Sequence, residues 1–240
     1  MNGVALAFEG VCKSFGPHVA LADFTLQVRE GELFGLVGIN GAGKTTLLKC
    51  LLDFAAPDAG TIRIFGESHR NTIARTGLAF LPERFLPPYY LTGGDFLRYM
   101  LALHGTAYCE GQAEATLGAL DLDRRALQSP VRSFSKGMTQ KLGLAACLLS
   151  GKRLFVLDEP SSGLDPKARA LLKRELLALR DRGRTLFLTS HLLADVEQLC
   201  DRMAVLHNGS IHFVGAPTEL LAQHGASDME SAFLACIEKR

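Results

Sequence analysis

Apolar positions near the start of the chain recur in strand fashion, in "VALAFEGV" at 4–11 and "FTLQV" at 24–28. The stretch "ELFGLVG" at 32–38 is apolar almost throughout, the pattern of a strand buried on both faces, and "TIRIFG" at 61–66 follows a helix-like segment. A second set of strand signals comes late: "RLFVLDEP" at 153–160, "RTLFLTSH" at 184–191 and "DRMAVLHNGSIHFVG" at 201–215. Between them the spacing predicts a helix over 167–182, with Ala168, Leu171, Leu172, Leu176 and Leu179 on one face and Gly183 as its C-terminal cap. Buried strands alternating with helices imply an α/β fold, a mostly parallel sheet covered on both sides.

The stretch 92–150 differs. Thr92 and Asp95 form a capping-box pattern ahead of "FLRYMLALHG", and helical periodicity returns at 110–120 and 136–149. These residues read as a helical subdomain inserted into an α/β core made of 1–91 and 151–216, with 217–240 a short helical extension. At 240 residues and 48% hydrophobic, the chain is large enough for one such domain. Its net charge of +1 gives no electrostatic case for a nucleic-acid partner. Six scattered cysteines, with no C-x-x-C pair, suit reduced thiols buried as small apolar residues. The first residues do not look like a signal peptide, and no run reaches the roughly 18 apolar residues of a membrane span, so a soluble, cytoplasmic protein is expected.

Two short stretches carry chemistry. "GINGAGKTT" at 38–46 follows a strand and opens a helix, and has the spacing G-x-x-x-x-G-K-[ST] of a phosphate-binding loop. Gly38, Gly41 and Gly43 let the backbone turn its N–H groups toward phosphate oxygens, helped by the helix N-terminus. Asn40, Ala42 and Thr46 belong to the same nucleotide-binding stretch; Lys44 reaches the β- and γ-phosphates, and Thr45 is a Mg²⁺ ligand. This motif alone suits kinases, GTPases and many ATPases. The second stretch ends the strand at 153–160, where Asp158 suits Mg²⁺ and Glu159 suits the general base that takes a proton from the attacking water.

"GINGAGKTT", "SFSKGMTQKLGLAACLL", "LFVLDEPSSGLDP" and "TSH", in this order, resemble an ATP-binding cassette (ABC) ATPase along nearly the whole chain. The S-x-G turn opening a helix before the D-E-P strand is the specific part, since other P-loop classes lack it. The resemblance implies an ATP-binding α/β core with an antiparallel β lobe and a helical subdomain. It also implies head-to-tail dimers holding two ATP molecules, each between one copy's P-loop and the other's signature turn. Carried onto this chain, Phe15 is the aromatic that stacks on adenine, and Ser135 and Gly137 serve the partner copy's γ-phosphate. "SGLDP" at 162–166 resembles the D-loop, placing Asp165 at the dimer seam, and His191 is the switch histidine that contacts the γ-phosphate. Lys136 stands where the family usually has glycine; of an added cation at the composite site and a solvated lysine at the dimer rim, the solvated lysine is the preferred reading, and Met138 lacks the amide of the usual glutamine. Glu83, in "LPERF", replaces a glutamine that touches Mg²⁺ and the lytic water, and either binds the metal or turns away. The other six histidines are assigned to surface or core. "LPPYYLTGG" at 86–94 is the region that faces the transmembrane subunit in this family.

The functional expectation is an ATP-hydrolysing subunit that works with a separate transmembrane permease, peripheral on the inner face of the membrane, with exporter-like spelling. The alternative is a soluble ABC ATPase acting on nucleic acid or ribosomes. Coiled coils, zinc modules or a second cassette would favour that alternative, and the sequence has none of them.

Overall fold

The computed structural model describes residues 3–238. Among these described residues ten strands form two sheets. Strands β1 (Val4–Phe15), β2 (His18–Arg29), β4 (Ala59–Ile64) and β5 (Glu67–Ser68) make an antiparallel sheet in the order β2-β1-β4-β5. The second sheet runs β10-β9-β3-β8-β7-β6, built from β3 (Leu33–Val37), β6 (Leu78–Leu81), β7 (Leu154–Asp158), β8 (Thr185–Ser190), β9 (Arg202–His207) and β10 (Ser210–Gly215). Its first five strands in chain order are parallel, and β10 returns antiparallel to β9 through Asn208 and Gly209. Both turn residues have positive φ (48° and 78°), the conformation that Asn-Gly favours in a tight hairpin.

Helices are α1 (Lys44–Leu51), α2 (Thr72–Arg75), α3 (Gly93–Leu103), α4 (Glu110–Ala119), α5 (Lys136–Leu149), α6 (Pro166–Asp181), α7 (Leu193–Leu199), α8 (Pro217–His224) and α9 (Met229–Glu238). Thr92 caps α3 by accepting from Asp95 N at 3.1 Å, as the capping pattern predicts. The last two residues of the expected C-terminal extension lie outside the described part of the chain.

The parallel sheet separates two apolar clusters, and alternate residues of each central strand feed different ones. Phe34, Leu36, Leu154, Val156 and Phe187 face α1 and the antiparallel sheet. Leu33, Val37, Phe155, Leu157, Leu186 and Leu188 face the helical side, where α3 to α9 share one continuous core. Coverage on both sides is therefore asymmetric: one side is largely a second sheet. Phe34 and Phe187 stack with centroids 6.0 Å apart at the centre of the first cluster. Burying such a ring contributes about 1.5–3 kcal/mol.

All six cysteines are free. Cys50, Cys147, Cys200 and Cys236 are buried, and burial pushes the Cys147 thiol up to about 12. Cys12 is half-buried. Cys109 departs from the expectation: it is exposed, because it occupies the N-cap position of α4. Among the described residues no helix is long and apolar enough to cross a membrane.

Candidate nucleotide site

The loop 38–43 is clamped by its surroundings as well as bent. A Cβ on Gly43 (φ 115°) would sit 2.4 Å from the Ala20 carbonyl, and one on Gly38 would sit 2.4 Å from that of Leu206. β2 and β9 thus hold the loop from two sides, and only glycine allows the approach. No side chain caps α1, which leaves its first N–H groups pointing into the loop as an anion site. Lys44, buried at the start of that helix, donates to Gly38 O at 2.6 Å and stands 3.8 Å from Glu159 Oε1. Burial holds its pKa below the ordinary lysine range, against the opposing pull of Glu159, Asp158 and Glu83.

Parallel pairing of β7 with β8 brings the carboxylates to the same edge. Asp158 registers with Thr189, whose hydroxyl donates to Asp158 Oδ1 at 2.6 Å and accepts from Glu159 N at 3.1 Å. Burial raises the Asp158 pKa; the Thr189 hydrogen bond opposes this, and Glu159 and Glu83 add to it. Glu159 adopts φ +50°, a left-handed conformation costing a non-glycine residue about 1–2 kcal/mol. The strained turn points its carboxylate back into the site. There Oε2 lies 2.8 Å from His191 Nδ1 and accepts from His191 N at 3.3 Å. Since a carboxylate only accepts, Nδ1 carries the proton.

These elements enclose a cleft of about 260 Å³. It is lined by Phe15, Asn40, Gly41, Ala42, Gly43, Lys44, Thr45, Thr46, Glu83, Asp158, Glu159 and His191, which are the sequence-derived candidates. Gly38 acts from behind through Lys44. His18, Ala20 and Ile39 also line the cleft and were not anticipated. His18 is exposed, within the surface-or-core assignment, and pairs with Phe15 across the β1–β2 turn, which places it at the same mouth. Phe15 is half exposed at 51%, not part of the β-lobe core, and Lys13 Nζ stands 5.4 Å from its ring centroid.

Residues 21–162 match the model of the ABC transporter family. The chain is 37% identical over 239 residues to the Nod factor export ATP-binding protein I of Paraburkholderia xenovorans, across 97% of this chain and 78% of that one. The chain belongs to the ABC transporter family. Among solved structures, the ATP-binding subunit of an ABC transporter superposes with a TM-score of 0.88 at 29% identity, covering 98% of this chain and all of that one. A dimeric ATP-binding cassette in a post-hydrolysis state, bound to ADP and Pi, shares the fold with a TM-score of 0.80 at 21% identity, over 88% of this chain and 98% of that one.

In this ABC ATPase the signature turn does not line its own chain's cleft. Ser135 caps α5, its hydroxyl oxygen accepting from Met138 N at 3.2 Å, which leaves the hydroxyl proton free to donate outward. Lys136 is exposed, yet its methylenes lie across the D-loop: a Cβ on Gly163 would meet Lys136 Cε at 3.0 Å. The expectation of a freely solvated lysine is thereby narrowed to a stem laid on Gly163 with its charge outward. One helical turn on, buried Gln140 donates to Pro160 O at 3.3 Å and ties the signature helix to the turn after Glu159.

The donor set at the cleft mouth is all oxygen: the Thr45 hydroxyl and the Asp158 and Glu83 carboxylates. Hard oxygen donors, few in number, suit Mg²⁺ held jointly with phosphates. Glu83 is exposed at the end of β6. If its carboxylate serves the metal, Glu83→Ala is expected to raise the Mg²⁺ concentration for half-maximal ATPase activity, with Glu83→Gln keeping most of the activity. A Mg²⁺ titration unchanged in both variants would remove Glu83 from the metal's ligands.

Proposed function

We propose that this ABC ATPase is a peripheral subunit that docks on separate transmembrane permease subunits at the inner face of the membrane and drives export. Its similarity to a protein named for Nod factor export supports the direction. The coupling reading rests on one observation above the others. The loop between β6 and α3 carries Glu83, on the cleft, near its start and exposed apolar surface further along: Leu86 at 87%, Tyr89 at 69% and Tyr90 at 73%. Large apolar side chains this exposed in one short loop suggest a protein partner. The same segment then links the nucleotide to the partner within a few residues.

In the proposed cycle Phe15 stacks on the adenine and the 38–46 loop wraps the phosphates. Ser135 and Gly137 of a second copy complete the site from the opposite side. Thr45, Asp158 and Glu83 would hold Mg²⁺, which supplies charge neutralisation on the phosphate oxygens. Glu159 takes a proton from water as the water oxygen attacks the γ-phosphorus, the bond to the β-phosphate oxygen breaks, and ADP leaves. Lys44 offsets the negative charge building on the phosphates. His191 holds Glu159 through Nδ1–H. A neutral imidazole has one N–H, so His191 can donate from Nε2 to the γ-phosphate at the same time only as the imidazolium.

The coupling is tested by replacing Tyr89 and Tyr90 with alanine together. The isolated chain's ATPase activity should remain within about twofold, because surface positions away from a site change little. Co-purification with the co-expressed membrane subunit should drop. Unchanged assembly would assign the two rings, which meet edge-on at 5.6 Å, to packing against each other only.

A further inference from the structure

The turn after Glu159 is fastened a second time to the segment that carries His191. Ser161, two residues past Glu159, donates its hydroxyl to Asp195 Oδ2 at 2.8 Å. Asp195, four residues past His191, is buried, and its Oδ1 lies 2.8 Å from Lys173 Nζ of α6. Lys173 also donates to Gln198 Oε1 at 2.9 Å. The exits of β7 and β8 are thus joined by two rungs, Glu159–His191 and Ser161–Asp195. The D-loop between Ser161 and α6 is fixed at its far end too, where Asp165 caps α6 by accepting from Ala168 N at 2.9 Å.

Asp195 sits in the first turn of α7, where a carboxylate ordinarily serves the free amides of its own helix. Here the oxygens go to Ser161 and Lys173 instead, and Leu192, at the N-cap, offers no side-chain bond. Attachment of α6 to α7 does not require this arrangement. A buried ion pair gains little net stability over a well-packed apolar pair, because both charges must leave water. What the polar arrangement provides is direction: it fixes the start of the D-loop relative to the His191 segment.

We propose that Ser161 and Asp195 are positioning residues that hold the D-loop and the His191 segment as one unit and so fix the Glu159 carboxylate for proton abstraction. The inference rests on the reading of Glu159 as the base. Without the Ser161 rung, the strained turn at Glu159 is held beyond it only by the Gln140 bond to Pro160 O and loses its tie to the His191 segment, so its carboxylate can shift relative to His191. Lys44 and the 38–46 loop are untouched, so nucleotide binding holds while turnover suffers.

The test is steady-state ATPase kinetics on Ser161→Ala, Ser161→Thr, the double variant Lys173→Met with Asp195→Leu, and Glu159→Gln in parallel. Displacements of an ångström or less cost up to about 100-fold; for Ser161→Ala we expect kcat to fall about fivefold or more. Its KM for ATP should stay within about twofold and its melting midpoint within about 4 °C, the scale of one lost hydrogen bond. Ser161→Thr, which keeps the hydroxyl, should recover kcat. The double variant exchanges the ion pair for an apolar one and should melt no lower than the parent while keeping the kcat defect. Parental kcat in Ser161→Ala, no recovery in Ser161→Thr, or full kcat in the double variant each overturn the proposal. Parental turnover in Glu159→Gln would instead overturn the base assignment, which keeps the two failures apart.

Discussion

Glu159→Gln is expected to bind ATP as the parent does and to hydrolyse it slower by about two decades or more, the usual worth of a positioned base. The exchange is nearly isosteric. A glutamine carbonyl can still accept from His191 Nδ1 and N, the two bonds that fix the present carboxylate. Lys44 loses a counter-charge at 3.8 Å but keeps its bond to the Gly38 carbonyl at 2.6 Å. What disappears is the ability to take a proton. Removing one of three acidic groups from the cleft also lessens repulsion of the ATP phosphates, so affinity should hold or rise. With binding intact and turnover blocked, an ATP-bound dimer should accumulate and elute at twice the mass of the nucleotide-free chain. Single-turnover hydrolysis measured beside nucleotide binding settles the matter: a parental rate places the base elsewhere.

The sequence made the fold class legible because both signals are local. A five-residue apolar strand that runs into G-x-x-x-x-G-K-T has few other meanings, and the late strands end on polar residues where ligands gather in parallel sheets. Other features depend on pairing that no local pattern carries. His18 reaches the cleft only because the β1–β2 register sets it opposite Phe15. Gly38 and Gly43 read as flexible turn residues, but neighbouring carbonyls from β2 and β9 are what exclude a side chain there. Asp195 looks like a surface acid opening a short helix. Its burial and its bonds to Ser161 and Lys173 follow from how α6 and α7 lie against β8 and the D-loop. The left-handed conformation of Glu159 is equally silent in sequence, since a glutamate before proline predicts extended backbone.

The signature turn yields the other large effect. Ser135 is exposed and lies outside its own chain's cleft, so any service to a nucleotide must be to a partner's. Ser135→Arg should therefore abolish ATP-induced dimerisation and hydrolysis while leaving ATP binding by the monomer intact. The variant loses the N-cap of α5, which costs about 0.5–2 kcal/mol, a fraction of the 5–15 kcal/mol that holds a typical domain together. Ser135→Ala loses the same cap without added bulk, so any defect peculiar to the arginine is steric obstruction at the seam. Trans action also predicts complementation. Lys44→Ala removes the phosphate cation, and a mixed dimer with Ser135→Arg gathers both defects into one composite site, leaving the other with intact Lys44 and intact Ser135. Mixing the two inactive proteins should restore part of the ATPase activity wherever one site can fire alone; ATP-dependent dimerisation of Ser135→Arg by itself is the measurement that does not depend on that condition. If the variant dimerises on ATP and hydrolyses at the parental rate, Ser135 does not serve the partner's phosphate, and the exposed hydroxyl of "SFSKGM" is only the cap of α5.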